Sequence, residues 1–155
     1  MNNADHLEHY GVLGMKWGVR RYQNTDGSLT KLGRLHKKDA ISGIDESINT
    51  HKRNAENISN FVKDTVYKMN KGETPEIYNG ARLMRLGEMY TNELLKKRIM
   101  ETYREAYESE YIKPGSDYVS KNGTVKLTDT GAAKERELMA KTRMEFEKEH
   151  TKKET

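Results

Sequence analysis

The sequence predicts a mainly α-helical protein, with two long antiparallel helices, a C-terminal helix and one or two short β-hairpins. Three observations carry that expectation. From Ile41 a three-four alternation runs through Ile44, Ile48, His51, Ala55, Ile58, Val62, Thr65 and Met69, the spacing that keeps one stripe of a helix turned toward a partner helix. Breakers at Gly72, Thr74-Pro75 and Lys113-Pro114-Gly115 cut the chain into helix-sized pieces. Apolar and charged residues each make up 34% of the chain, a balance that suits long exposed helices better than a deep core.

In chain order, residues 1–15 are poor in helix formers and contain Gly11 and Gly14, so they read as a loop or extended arm. Lys16–Tyr22 reads as a short strand, Asn24-Thr25-Asp26-Gly27 as a turn and Thr30 as the cap of the following helix. The seam from Ile41 to Met69 belongs to the first long helix, in which His51 is expected to lean on Glu46 or Asn54. Thr74 caps the second helix, with Pro75 at its first position. That helix starts at Pro75 or just after Asn79-Gly80 and runs to Tyr111. Its stripe is Leu83, Leu86, Tyr90, Leu94, Leu95, Ile99, Tyr103, Tyr107 and Tyr111. Tyr118–Val125 reads as a hairpin with an Asn-Gly turn. The third helix, about Thr130 to His150, is expected to bury Ala133, Leu138, Met139 and Phe146, with a Lys/Glu-rich end that frays. The organisation is thus a docking arm and hairpin over 1–30, a helical hairpin over 31–112, and a short hairpin with the C-terminal helix over 113–155.

Tyr22, Asp26, Gly27, Ser28 and Leu29 share their spacing with Tyr118, Asn122, Gly123, Thr124 and Val125. This is either a duplication or the convergence that turn chemistry alone produces.

Composition excludes several chemistries. With no cysteine the chain forms no disulfide, thiolate zinc site or thiol nucleophile. No apolar run approaches the roughly 20 residues of a spanning helix, and the first residues lack the basic and apolar regions of a signal peptide. No membrane association is therefore expected. Net charge is +4, but Lys16, Arg20, Arg21, Lys31, Arg34, Lys37 and Lys38 stand against Asp26 alone between residues 16 and 38. That patch suits phosphate groups or an acidic protein face.

The segment Glu8-His9-Tyr10-Gly11-Val12-Leu13-Gly14-Met15-Lys16-Trp17-Gly18-Val19-Arg20-Arg21-Tyr22-Gln23-Asn24-Thr25-Asp26-Gly27-Ser28-Leu29-Thr30 resembles a stretch found in uncharacterised phage and prophage proteins of Gram-positive bacteria. The likeness spans about 25 of the 155 residues and leaves out both long helices. Where the pattern commonly continues Pro-Ala-Gly after the threonine, this chain has Lys31-Leu32-Gly33. The resemblance implies a phage setting, in the host bacterial cytoplasm or the virion, and no chemistry. Physically, Trp17 is a large amphipathic ring between glycines and flanked by cations. It either docks a partner together with Tyr10, Met15, Arg20, Arg21 and Tyr22, or packs on the chain's own helices.

Nothing selects an active site or a cofactor. His6, Glu8 and His9, with distant His36, lack the paired ligand spacing of a metal site. Gly11, Gly14 and Gly18 follow no strand and precede no Lys-Ser/Thr, so they make no phosphate loop. No nucleophile elbow or local Ser/His/Asp signature is present. The Tyr103, Tyr107 and Tyr111 stripe reads as core rather than a base-stacking platform. The leading expectation is a non-enzymatic phage structural or assembly protein, head-associated or scaffold-like, that binds a phage structural protein. The alternatives are a stoichiometric inhibitor of a bacterial defence protein, such as an anti-CRISPR, and a nucleic-acid-binding accessory protein. Self-association through the seam Ile41, Ile44, Ile48, Ile58 and Val62 is a further expectation, secondary to an internal hairpin.

Overall fold

A computed structural model describes residues 19–73, 80–122 and 124–151. The elements in chain order are α1 (Val19–Tyr22), α2 (Lys31–Asn70), α3 (Gly80–Glu108), β1 (Tyr118–Lys121), β2 (Thr124–Leu127) and α4 (Asp129–Thr151). The mainly helical expectation holds, with two long helices, a C-terminal helix and one antiparallel hairpin in which Tyr118 faces Leu127 and Lys121 faces Thr124.

α2 is 40 residues long, which at 1.5 Å per residue is about 60 Å. Every position of its three-four seam is turned inward: Ile44, Ala55 and Thr65 are buried, and Ile41, Ile48, His51, Ile58, Val62 and Met69 are half-buried. The small residues are the deepest, because Ala55 and Thr65 let the helix backbones approach. Thr65 satisfies its hydroxyl on the Phe61 carbonyl at 2.8 Å, as buried helix threonines do. The partner is α3 of the same chain. Asp45 pairs with Arg104, His51 with Glu93, and Lys37 with the Glu108 carbonyl, and these descending numbers make the helices antiparallel.

α2 stops at Lys71 and Gly72, whose φ of +78° lets its N–H return to the Met69 carbonyl at 3.0 Å. The Thr74-Pro75 cap lies outside the described residues. α3 ends at Glu108, three residues short of the expected Tyr111. Glu110 takes a left-handed φ of +61° and the Ile112 N–H turns back onto the Ala106 carbonyl, so Tyr111 belongs to the corner after the helix.

α4 folds back along α3, with Thr142 against Thr102 and Tyr107 against Glu135. Leu138 and Phe146 are half-buried as expected, whereas Ala133 and Met139 are exposed. The inward positions of α4 are Gly131, set against Asp117, and Glu135, Leu138 and Thr142 along α3, a single i, i+4, i+7, i+11 line that passes Ala133 and Met139 by. The core joins Ala40 and Ile44 of α2, Ala106 and Tyr107 of α3, Ile112 and Tyr118. It sits at one end of the hairpin, where α4 and the strands cover it.

The short strand expected over Lys16–Tyr22 is not formed in its described part, because Val19–Tyr22 is one helical turn. Asn24–Ser28 closes too tightly to pair more than Gln23 with Leu29. The turn itself is as read: Gly27 has φ +84°, and Asp26 accepts from the Ser28 N–H and hydroxyl.

Two halves of the chain share one helix-start device. Thr30 accepts from the Gly33 N–H at 3.1 Å, its hydroxyl donates to the Arg21 carbonyl, and its N–H donates to the Tyr22 carbonyl. Thr128 accepts from the Gly131 N–H at 3.2 Å, its hydroxyl donates to the Ser116 carbonyl, and its N–H donates to the Asp117 carbonyl. In both, the glycine three residues on lies against that same carbonyl, so that a Cβ would collide with the Tyr22 or Asp117 oxygen. The common unit is therefore Leu-Thr-x-x-Gly, at Leu29–Gly33 and Leu127–Gly131. The turns, whose spacing sets Leu29 beside Val125, repeat two residues closer together than these caps.

Candidate functional site

Of the residues expected to dock a partner, Tyr10, Met15 and Trp17 lie outside the described residues, as does Lys16 of the basic patch, and Arg20 is described by its backbone alone. Arg21 is exposed. Tyr22 is 9% exposed, edge-on to His36 at 5.0 Å between ring centres, and its ring rests on Gly115, where φ is +86° and a Cβ would overlap it. Tyr22 is thus the anchor that fastens α1 to the Pro114-Gly115 corner between α3 and β1, and it offers little surface to a partner.

The basic patch is unevenly available. Lys31, Arg34 and Lys38 are exposed, but Arg34 spends Nη1 on the Leu29 carbonyl at 2.6 Å. Lys37 is committed to the Glu108 carbonyl at 2.7 Å and to Glu110 at 3.0 Å. Leu29 and Ile41 line an open groove bordered by Arg34, Lys37, Lys38 and Glu110. Its chemistry is an apolar floor with a cationic rim, able to take an acidic, partly apolar segment.

Three polar clusters come together that no local motif announces. In the α2–α3 seam, Glu93 accepts from His51 Nδ1 at 2.8 Å, Asn54 at 3.1 Å and Lys96 at 3.0 Å. The His51 hydrogen bond foremost, then Lys96 and Asn54, hold its carboxyl down at about 2. His51 turns to Glu93 across the seam rather than to Glu46 or Asn54, and Asn54 donates to the same carboxylate.

Between α3 and α4, Tyr107 donates to Glu135 Oε1 at 2.7 Å and Tyr103 donates to the Glu135 carbonyl at 3.1 Å. Burial pushes the Glu135 carboxyl up toward its neutral form and the Tyr103 hydroxyl up to about 12, and it raises Tyr107 further. The Tyr118 hydroxyl, in the same core, has no hydrogen-bond partner among the described residues. Tyr103 and Tyr107 are thus core as expected, with hydroxyls on α4 rather than at the rim. Tyr111 is 44% exposed.

Ser120, His36 and Asp39 form the third cluster. Ser120 is 4% exposed; its hydroxyl donates to Asp39 Oδ2 at 2.6 Å, and its backbone N–H donates to His36 Nδ1 at 3.0 Å. The residue types are those of a nucleophile set, but the imidazole holds the backbone and not the hydroxyl. Activation of a serine needs the base on its oxygen, so this arrangement ties β1 to α2. Sequence reasoning passed over it because 84 residues separate Ser120 from His36. Only His36 among the histidines considered as metal ligands is described, and among the described residues no group of three His, Asp or Glu side chains is placed to hold a metal. No described helix is long and apolar enough to cross a membrane.

Residues 2–24 match a family of unknown function, DUF7211. No curated protein and no solved structure matches the chain. The family match ends inside the turn that follows α1, so it includes the Tyr22 anchor and none of the long helices.

Proposed function

We propose that the chain is a non-enzymatic assembly component of a bacteriophage, virion-associated and head- or scaffold-like, which uses its N-terminal segment to dock a protein partner. The observation that carries this reading is the clamp at the end of the family-matching segment. The Arg21 and Tyr22 carbonyls are held by Thr30, and the Tyr22 ring is held on Gly115. A recurrent segment is thereby fastened at one end to a stiff helical base, the arrangement a docking peptide needs in order to limit the entropy lost on binding. The resemblance of the segment to phage proteins supplies the setting.

The test is mass spectrometry of purified virions from a lysogen carrying the gene, followed by co-purification with the Trp17→Ala variant. Recovery in virions, with partner binding weakened by about 2 kcal/mol or more in the variant, is the expected outcome. A chain absent from virions and recovered with a host defence protein overturns the assembly role.

A further inference from the structure

The Ser120–His36 contact sets a condition on the imidazole. A backbone N–H can only donate, so Nδ1 of His36 has to present a lone pair, and in the neutral ring the proton then sits on Nε2. An imidazolium has no lone pair left. Its Nδ1–H would point at the Ser120 N–H, donor against donor, and the strand has to move away.

Among the described residues, the groups set around this ring come from three elements. From α1 comes the Tyr22 ring. From β1 comes Ser120, while the pairing of Val119 with Lys126 and the exposure of both put the Lys126 charge on the outer face of the hairpin. On α2 itself, Asp39 stands one turn on and already accepts from the Ser120 hydroxyl at 2.6 Å. Asp39, which shares Ser120 with His36, is therefore an anion toward which a protonated His36 turns. In doing so the imidazolium competes for the second of the two bonds that Ser120 makes to α2.

We propose that His36 is a proton-operated latch: unprotonated at Nδ1 it holds the β1–β2 hairpin on α2 through the Ser120 N–H, and protonated it lets the strand go. Release loosens the cover that Tyr118 and the hairpin place over Ala40 and Ile44. The latch responds to acid in the opposite sense to the seam pair His51–Glu93, where a protonated imidazole is the better donor to the carboxylate. It is independent of the assembly role.

The measurement is amide hydrogen exchange by NMR on the full chain, corrected for intrinsic exchange, as pH is taken from about 7.5 to about 5, the interval in which imidazole changes charge. Protection of the Ser120 amide is expected to fall about tenfold, the effect of losing one to two hydrogen bonds locally, while amides at the α2–α3 seam hold. In His36→Gln, whose side-chain carbonyl accepts but does not titrate, protection is expected to be flat. Nitrogen-15 shifts of the wild-type ring check the tautomer without any substitution, and Nε2–H is expected at the upper pH. Flat protection in the wild type, an equal fall in His36→Gln, or an Nδ1–H tautomer each overturns the latch.

Discussion

Lys134 of α4 reaches the carboxylate of Asp117, Nζ to Oδ2 at 2.8 Å, and that carboxylate is 3% exposed. The same oxygen accepts the Lys113 N–H at 2.8 Å, and the ammonium also donates to the Tyr111 carbonyl at 2.8 Å and lies over the Tyr111 ring. One buried anion thus holds the corner after α3, the start of the hairpin and the face of α4. Because the Asp117 carbonyl also takes the Thr128 N–H, this residue fixes both the pair and the second helix cap.

Removing one member of such a pair leaves a buried charge without its counterpart. Lys134→Met is therefore expected to destabilise the chain by about 3 kcal/mol, the low end for broken buried pairs, since the lysine side chain keeps 27% of its exposure. The Asp117→Asn/Lys134→Met double variant should lose less than the sum of the single changes. Urea unfolding of the four proteins gives the coupling. Strict additivity would mean that the pair is not formed.

The two glycines at the helix starts should respond alike. A Cβ on Gly33 or Gly131 meets the Tyr22 or Asp117 carbonyl, whereas one on Gly87 meets nothing. Gly33→Ala and Gly131→Ala are each expected to cost about 1–3 kcal/mol, as overpacking does. Gly87→Ala, at an exposed position inside α3, is expected to stabilise by about 0.5–1 kcal/mol. Thermal melting separates the signs, and a neutral Gly131→Ala would remove the shared-device reading.

Glu93 gives stability a specific acid dependence. Its carboxyl protonates near 4.5 when unfolded and near 2 when folded, chiefly because of His51. Between those values the folded state binds fewer protons, so the stability it contributes is present above 4.5 and is lost as pH falls toward 2. The difference in unfolding free energy between wild type and Glu93→Gln should accordingly shrink across that window, with a slope of up to about 1.4 kcal/mol per pH unit. Chemical denaturation at several pH values checks it. A constant difference would show that Glu93 is not held in the seam.

The long helices were legible because periodicity is a local property: every position of the three-four stripe from Ile41 to Met69 lies inward, while Gly33 and Ala40, buried ahead of it, follow from tertiary packing alone. The Thr30 cap and the Asn-Gly hairpin were legible for the same reason, since each is written within a few residues. What escaped were relations between distant residues. Nothing in the Lys/Glu-rich run of α4 marks Glu135 apart from its neighbours, and only the fold brings it to Tyr107. His36 and Ser120 meet only because the hairpin lies across α2. The sequence around Tyr22 reads as a docking peptide because its role as an anchor depends on Gly115, far along the chain. The turns repeat 96 residues apart and the caps 98, and the shared hydrogen bonds lie in the caps, which only the fold brings against the Tyr22 and Asp117 carbonyls.

The α2 seam faces α3 of its own chain, and that decides what substitutions in it should do. Ile48 packs at the edge of the core and Ile58 lies half-buried along the same stripe, while Lys52 is exposed. Burying an isoleucine contributes roughly 1.5–3 kcal/mol, and a carboxylate in its place adds the cost of an unpaired, partly buried charge. Ile48→Asp is expected to destabilise more than Ile58→Asp, because only Ile48 touches the covered end of the hairpin. Lys52→Asp should change little. An internal seam predicts that melting of these variants is independent of protein concentration, and that sedimentation gives the same mass for wild type and variants. If Ile58→Asp instead lowers the sedimenting mass, or its melting temperature rises with concentration, the seam joins two chains and α3 is not its main partner.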